Sequence, residues 1–344
     1  MGLEFIELPA VAGVGGQSFR RELEDVDGAQ RMPAVLGMFF EMAMALTKPL
    51  ADIAQNWNPD VILGESTSWA ALFAGELTAI PAATFGFNPP DARLLTELLG
   101  DQFAAFRSEL GLPADPELAA LNRWLMLVGG PPEWFDSSPL PLTAHLIQPP
   151  DAPARADESV DDLLQELDSR PLVYATLGTT FNAQPGVWSM VLEGLAAVNA
   201  SVIATVGRDL DPAGLGPQPP HVRVERFISQ ALILPHCSAM LAHGGYGSLM
   251  GALRHGVPVV SVPLAAADNR RNASKLEKLG AGIAVHEDSR SSLAIREAVT
   301  AVLTHPTYQE AARRLAASIA SLPPISHGAA LLERLAREQR PIER

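Results

Sequence analysis

The sequence is poor in cysteine and in basic side chains. Cys237 is the single cysteine in 344 residues. One thiol excludes an internal disulfide framework and a cysteine-based metal cluster, and it fits a protein of the reducing cytoplasm. Lysine and arginine number 25 against 39 acidic residues, which gives a net charge of −14. Because a nucleic-acid backbone is bound by clustered positive charge, we expect no nucleic-acid partner.

Long apolar runs are also lacking. The most apolar window, residues 32–47, is interrupted by Glu41 and runs into Lys48 and Pro49. This window is shorter than a membrane-spanning helix requires. The opening residues, MGLEFIEL, are acidic and do not resemble a signal peptide. We therefore expect no membrane span and a cytoplasmic location.

The length and the hydrophobic content of 47% suit two domains of ordinary size. A connection rich in proline and acid begins at Gln148 and continues to Pro171. We place the domains at residues 1–150 and 151–325, and a final helix at residues 326–344.

Short apolar runs with a strand-like composition alternate with longer helical patterns along the chain. This alternation predicts an α/β protein in which helices cover both faces of parallel sheets. Strands are predicted near Leu3–Leu8, Asp60–Leu63, Pro81–Phe85, Leu172–Thr176, Ser201–Val206, Ala239–Ala242, Pro258–Val262 and Gly282–Val285. Helices are predicted near Pro33–Gln55, Ser66–Thr78, Ala92–Leu110, Val187–Val198, Gly247–His255, Asn269–Leu279 and Leu293–Leu303.

A glycine-rich turn follows the predicted strand that ends at Ala242. Gly244, Gly245 and Gly247 allow the backbone to approach a ligand closely. His243, Ser248 and the free N–H groups of the helix that starts there can donate hydrogen bonds to phosphate oxygens. These residues predict a diphosphate site that needs no lysine.

Three segments together resemble a known family: residues 172–181, 222–236 and 243–273. They are similar to the C-terminal domain of bacterial nucleotide-sugar-dependent glycosyltransferases of the GT-B type, which decorate macrolides and enediynes. The resemblance extends over about residues 170–303. It implies two Rossmann-like domains whose parallel sheets face a central cleft.

The resemblance also implies the activity. Such an enzyme moves a deoxysugar, with inversion, from a nucleoside diphosphate to a hydroxyl group of a hydrophobic natural product. The leaving diphosphate is stabilised by a helix N-terminus, hydroxyl groups and histidine, so no metal or other cofactor is required. The competing interpretation is a catalytically impaired relative that binds a nucleotide-sugar and assists an active partner. Whether the protein forms a homodimer is left open.

Two segments of the resemblance correspond to nucleotide contacts. Gly178 and Thr179 follow a predicted strand and correspond to a turn near the diphosphate, although Thr179 equally suits a helix cap. Phe227, Ile228 and Gln230 belong to the loop whose backbone holds the nucleobase edge in the family. Phe227 would pack on the base or in the core. The family usually has a proline before this glutamine, and the chain has serine.

Asp268 and Asn269 correspond to the acid and amide that bond the transferred sugar, although most relatives have glutamine in place of Asn269. Asn272 is expected to cap or pack the following helix. Plant relatives have a ribose-binding glutamate eight residues after the motif histidine, where this chain has Gly251. The missing carboxylate favours a dTDP-sugar over a UDP-sugar.

The catalytic base of the relatives, a histidine after their first strand, has no counterpart, since all eight histidines lie at or beyond His145. The chain starts where relatives have their third strand, so an opening βαβ unit is expected to be missing. A misplaced start codon, a fragment and a true loss are all open. Glu65 follows a predicted strand and is a candidate substitute base. The alternative is a carboxylate that stabilises a helix start.

Three further patterns have competing interpretations. Residues 64–68, GESTS, resemble the nucleophile turn of serine hydrolases, but the order of motifs along the chain argues against a hydrolase. Residues 13–16, GVGG, lack the third glycine of a dinucleotide fingerprint and suit a flexible loop. A methionine-rich helix over residues 32–44 would line an acceptor pocket or pack in the core.

Overall fold

The structure is a computed structural model of the 344-residue chain. It describes residues 4–8, 26, 31–87, 89, 91–135, 140–150, 154, 158–178, 185–264 and 267–344. The chain forms two compact units. The N-terminal unit contains Met1–Pro149 together with Leu322–Arg344, and the C-terminal unit contains Pro150–Ser321.

The N-terminal unit has a parallel sheet in the order β1-β2-β3-β4. Two short 3-10 turns, Ala119–Asn122 and Pro132–Trp134, precede and follow β3. The described helices and strands of this unit are α1 Arg31–Trp57, β1 Ile62–Glu65, α2 Trp69–Thr78, β2 Ala82–Gly86, α3 Ala92–Glu109, β3 Met126–Gly129, β4 Ala144–Ile147 and α11 Ile325–Glu338.

The C-terminal unit has a six-stranded parallel sheet in the order β10-β9-β8-β5-β6-β7. Its described helices and strands are α4 Asp161–Gln165, β5 Leu172–Thr176, α5 Pro185–Ala196, β6 Ser201–Thr205, β7 Val222–Glu225, α6 Gln230–Ile233, β8 Ala239–Ala242, α7 Tyr246–Arg254, β9 Val259–Ser261, α8 Ala267–Lys278, β10 Gly282–Ala284, α9 Ser292–Thr304 and α10 Pro306–Ser321.

The central strands of the larger sheet are buried along their whole length, as parallel strands covered on both faces should be. Every residue of β5, β6 and β8 is buried. Strand β5 pairs with β6 on one side and with β8 on the other, and Thr176 lies opposite both Thr205 and Ala242. The carboxyl ends of these three strands therefore meet at one edge of the sheet, where open α/β sheets bind ligands.

The N-terminal unit buries an aromatic cluster and one ion pair. Phe40 of α1 packs against Phe103 of α3 with ring centroids 4.9 Å apart, and Trp69 of α2 lies 5.2 Å from the same ring. Beside this cluster, Arg107 donates to both carboxylate oxygens of Glu76, at 2.7 and 2.9 Å. Helices α2 and α3 are thus joined by apolar packing and by a bidentate ion pair.

One strand predicted from the sequence is wrong. Residues 4–8 form no strand, and Phe5 is 89% exposed. An alternating pattern specifies a strand only where a neighbouring strand accepts its backbone hydrogen bonds, and residues 4–8 have no such neighbour among the described residues. Three observed strands, β3, β4 and β7, were not predicted. The other predicted strands correspond to observed ones within a few residues.

The last helix, α11, packs in the N-terminal unit. Its Leu331 and Leu335 are buried with Leu127 and Ile147 of the small sheet. The residues after α11 continue this attachment, because the Ile342 N–H donates to Trp124 O at 2.8 Å. From the sequence, we expected residues 326–344 to form a separate helix after the second domain. The contacts join them to the first unit instead.

Two segments are long and apolar enough for a membrane span by length and composition alone, Met32–Trp57 and Pro306–Glu338. The first is most of α1, which contributes Phe40 and Ala43 to the aromatic cluster. The second consists of two helices, α10 and α11, which belong to different units. Both segments thus contribute buried side chains to the units that contain them.

Candidate functional site

His243 lies directly after β8, with its ring between two glycines. A Cβ atom on Gly178 would lie 2.5 Å from Cε1 of the imidazole, and one on Gly245 would lie 2.3 Å from Nε2. Gly178 also has a φ of +79°, which L side chains rarely adopt. Both glycines are therefore needed to leave room for the ring.

The surroundings of His243 favour its neutral form. Its Nδ1 is buried and has no hydrogen-bond partner among the described residues. Burial lowers the pKa of the imidazole from 6.5 to about 4. A neutral imidazole carries one N–H donor, so His243 can donate a hydrogen bond to an anionic ligand without a buried charge.

Gly244 occupies a tight position between β8, β9 and α8. Its φ is +88°, and a Cβ there would lie 2.7 Å from Asn269 O and 3.0 Å from Ser261 Oγ. Asn272 donates from Nδ2 to Gly244 O at 3.0 Å and is 2% exposed. The amide of Asn272 therefore fixes the glycine loop from inside α8. Asn272 was expected to cap or pack the following helix; it is buried inside α8 and bonds the preceding loop.

Helix α7 starts next to His243 without a side-chain cap. Its N-cap is Gly245, which offers no side-chain cap, and the N–H groups of its first turn have no intrahelical acceptor. Apart from its chain neighbours and the backbone of α7, no described heavy atom lies within 4 Å of a Cβ built on Gly247, and Ser248 is only partly buried. The space for a close ligand thus lies at Gly247, whereas Gly244 and Gly245 are required by neighbouring protein atoms.

The predicted nucleobase loop follows β7. Phe227 is 71% exposed, so it is not part of the core, and Ile228 is partly buried. Gln230 is the first residue of α6, and its Oε1 lies 3.5 Å from the place of a Cβ on Gly251. The loop and the start of α6 thus present an exposed aromatic ring and an amide, and the amide lies next to Gly251 of α7.

The two residues expected to bond the sugar lie in the first turn of α8 but in different surroundings. Asp268 is exposed, and desolvation by neighbouring atoms raises its pKa more than bonds from backbone N–H groups lower it. Asn269 is 2% exposed, and its Nδ2 has no hydrogen-bond partner among the described residues. The structure therefore exposes the acid and buries the amide.

Glu65 lies in the N-terminal unit, at the exposed end of β1. Its Oε1 accepts from Ser66 Oγ at 2.7 Å, and its Oε2 accepts from the Thr67 N–H at 2.7 Å. Ser66 in turn is confined, because a Cβ on Gly86 would lie 2.2 Å from its Oγ. The Ser66 hydroxyl donates to a carboxylate, whereas the nucleophilic serine of a hydrolase donates to a histidine.

Several polar residues of the C-terminal site carry no signal in the sequence. Ser261 Oγ is buried without a partner among the described residues. The hydroxyl groups of Tyr174, Thr205 and Thr176 form a buried cluster next to Gln230. Only the strand register brings them together, so no linear motif marks them. Thr179 and the glycine run at residues 13–16 lie outside the described residues.

Comparison with known proteins gives a consistent set of matches. Residues 189–335 match the family model of the erythromycin biosynthesis protein CIII-like C-terminal domain. The chain is similar to 4'-demethylrebeccamycin synthase of Lentzea aerocolonigenes, with 31% identity over 316 residues. That alignment covers 81% of this chain and 74% of the relative.

Solved structures resemble both units. The glycosyltransferase VinC in complex with dTDP has a TM-score of 0.73 and 22% identity, over 92% of this chain and 84% of that one. SsfS6 of Streptomyces sp. SF2575, complexed with thymidine diphosphate, has a TM-score of 0.70 and 22% identity. That match covers 90% of this chain and 78% of SsfS6.

Proposed function

The chain belongs to the bacterial natural-product glycosyltransferases, and we propose that it transfers a deoxysugar from a dTDP-sugar to a hydroxyl group of a hydrophobic natural product. The expected fold class is confirmed, since each unit has a parallel sheet with helices and the chain resembles GT-B structures over most of its length. The observation that carries the proposal is the buried Nδ1 of His243, which has no hydrogen-bond partner among the described residues, beside the N-terminus of α7, which has no side-chain cap.

This arrangement suits a diphosphate. Oriented backbone dipoles and free N–H groups at a helix N-terminus attract an anion, and His243 and Ser248 add donors from the same loop. Negative charge grows on the diphosphate as the bond to the sugar breaks, so donors already in place stabilise the transition state more than the ground state. We propose that these groups make a divalent metal unnecessary.

The preference for thymidine is supported by the place of Gly251. A side chain there would be in ordinary contact with Leu234 and Gln230, at 3.4 and 3.5 Å. With glycine, no carboxylate is available at this position to bond two ribose hydroxyls. Two structural neighbours, VinC and SsfS6, contain thymidine diphosphate. We propose that Phe227 packs on the base and that Asp268 bonds a sugar hydroxyl.

For the acceptor, we propose that Glu65 takes the proton of the attacking hydroxyl. The acceptor oxygen forms a bond to the anomeric carbon from the face opposite the diphosphate, so the configuration inverts. The diphosphate leaves with the electron pair of the broken bond.

The half-buried apolar start of α1, including Met32 and Phe39, is a suitable surface for a hydrophobic acceptor. The single cysteine supports a cytoplasmic location.

Calorimetric titration with dTDP and UDP tests the donor site. We expect dTDP to bind about tenfold more tightly than UDP, and His243→Ala to weaken dTDP binding by about tenfold, the effect of one lost charge-assisted hydrogen bond. His221→Ala is the matched control, because His221 is a partly buried histidine of the same unit that bonds Ala196 O at 3.1 Å. Absence of heat with every nucleoside diphosphate would contradict the proposal.

A further inference from the structure

Tyr174 is a buried tyrosine at the centre of the larger sheet. It lies on β5, is 1% exposed, and its hydroxyl oxygen is 2.7 Å from Thr205 Oγ1 of β6. The same hydroxyl interacts with the side chains of Thr176 and Gln230. Because burial raises the pKa of Tyr174, the hydroxyl keeps its proton and can both donate and accept.

The strand register explains this cluster. Thr176 lies opposite Thr205 in the β5–β6 ladder, and Tyr174 points to the same face as Thr176, two residues earlier on β5. The tyrosine ring spans the distance to the carboxyl ends of the strands, which is the ligand edge of the sheet. Its hydroxyl therefore reaches from the core to the first residue of α6.

Core packing alone does not account for a tyrosine here. Phenylalanine would fill nearly the same volume without a buried polar group, and a buried hydroxyl is favourable only when it is hydrogen-bonded. The hydroxyl of Tyr174 meets this requirement through Thr205 at 2.7 Å, and it also lies beside the side chain of Gln230, which is itself only partly buried. One polar partner of Tyr174 is thus structural, and the other lies in the candidate nucleoside site.

We propose that Tyr174 is a positioning residue that orients the amide of Gln230 toward the nucleoside of the donor. The inference rests on the proposed function. A glutamine side chain has three rotatable bonds, and fixing it before the ligand arrives reduces the entropy lost on binding. Tyr174 holds one end of the amide, so the other end is directed to the ligand. Tyr174 itself does not touch the donor.

Tyr174→Phe tests this function by comparing dTDP with inorganic pyrophosphate in calorimetric titrations. We expect the Kd of dTDP to rise about tenfold, as for the loss of one or two hydrogen bonds, and the Kd of pyrophosphate to stay within about twofold. General damage to the site would weaken both ligands. Tyr308→Phe, the same change on α10, is the matched control and should alter neither Kd.

Two more variants separate positioning from folding. Thr205→Val removes the other partner of the hydroxyl with little change of shape, and we expect a smaller loss for dTDP, again with pyrophosphate unaffected. In a double-mutant cycle, Tyr174→Phe should have no further effect in a Gln230→Ala background, because it acts through that amide.

The outcomes are distinct. Three results would each overturn the inference without contradicting the proposed donor site. They are unchanged dTDP binding in both Tyr174→Phe and Thr205→Val, equal losses for dTDP and pyrophosphate, and additive losses with Gln230→Ala. If the wild-type chain binds dTDP no more tightly than pyrophosphate, the proposed function fails, and the positioning inference fails with it.

Discussion

At the scale of single residues, the neutral imidazole of His243 has a measurable consequence for stability. The pKa of His243 in the folded protein is about 4, against 6.5 without burial. As the pH falls from 6.5 toward 4, the unfolded chain binds a proton that the folded chain does not. We therefore expect this residue to reduce the free energy of unfolding by about 3 kcal/mol over that interval, with little further loss below it.

Chemical denaturation at several pH values measures this effect. His243→Asn removes the titrating group, so the variant should lose stability less steeply than the wild type as the pH falls from 6.5 to 4. His221→Asn is the matched control for the substitution itself, because His221 is a partly buried histidine of the same unit that bonds Ala196 O. Equal slopes for His243→Asn and the wild type would show that the imidazole is not desolvated.

Gly247 separates ligand contact from protein packing. A methyl group at Gly247 meets no described atom within 4 Å other than its chain neighbours and the backbone of its own helix, and alanine in a helix is favoured over glycine by about 0.5 kcal/mol or more. We expect Gly247→Ala to keep or raise the melting temperature and to weaken dTDP binding by about tenfold, the effect of displacing one charge-assisted contact.

The control for Gly247→Ala is Gly100→Ala, in the interior of α3, where the nearest side-chain atom is at an ordinary 3.5 Å. It should stabilise the protein similarly and leave dTDP binding unchanged. If Gly247→Ala binds dTDP as well as the wild type does, the diphosphate does not approach the first turn of α7.

Residue types alone predicted part of the candidate site. The run from His243 to Ser248 has a composition that suits an anion, and the structure places these residues at a strand end and a helix start. The reasons for Gly244 and Gly245 were not predictable, because they depend on Asn269 O and on the imidazole of His243. The positions of such neighbours follow from strand register and helix packing, which no local pattern contains.

At the scale of secondary-structure elements, the ion pair between Glu76 of α2 and Arg107 of α3 allows the energetic cost of an unpaired buried charge to be measured. Their side chains are 15% and 6% exposed. Glu76→Ala would leave the guanidinium buried without its carboxylate, and we expect a loss of about 3 kcal/mol in the free energy of unfolding. Urea denaturation at neutral pH measures it.

An exposed pair joins the same region of the protein and provides the control. Lys48 of α1 lies 3.5 Å from Glu109 of α3, and the two side chains are 66% and 63% exposed. Lys48→Ala should cost about 0.5 kcal/mol or less, because solvent screens the interaction. Similar losses for Glu76→Ala and Lys48→Ala would mean that solvent reaches the buried pair.

Strands were predictable where burial is continuous. Strand β5 was predicted with its observed bounds, since an unbroken apolar run of this length suits a strand covered on both faces. Strand β7 was missed because VRVE at a sheet edge is half polar, and its Arg223 pairs with Glu225. The opposite error at residues 4–8 has the same origin, since strand formation depends on a partner elsewhere in the chain.

At the scale of the whole molecule, the N-terminal unit depends on residues from the far end of the chain. Leu335 of α11 is fully buried beside Leu127 and Ile147. We expect Leu335→Ala to lower the free energy of unfolding by about 3 kcal/mol, through lost burial and the cavity that remains. Tryptophan fluorescence during urea denaturation can follow the N-terminal unit, which contains Trp124 near Leu335 in the same cluster.

Leu293→Ala is the matched control for this change. Leu293 lies on α9 of the C-terminal unit and is 52% exposed, so its truncation should change the free energy of unfolding by about 0.5 kcal/mol or less. If Leu335→Ala had an effect as small as this, α11 would not be an integral part of the N-terminal unit.

The attachment of α11 also affects the order in which the two units can fold during translation. Residues 150–321 emerge before residues 322–344, so the C-terminal unit is complete while the first unit still lacks a helix that covers its small sheet. Domains usually mature in the order of their synthesis. Here the second unit can reach its native packing first, and the nascent first unit holds Leu127 and Ile147 uncovered until residues 322–344 emerge.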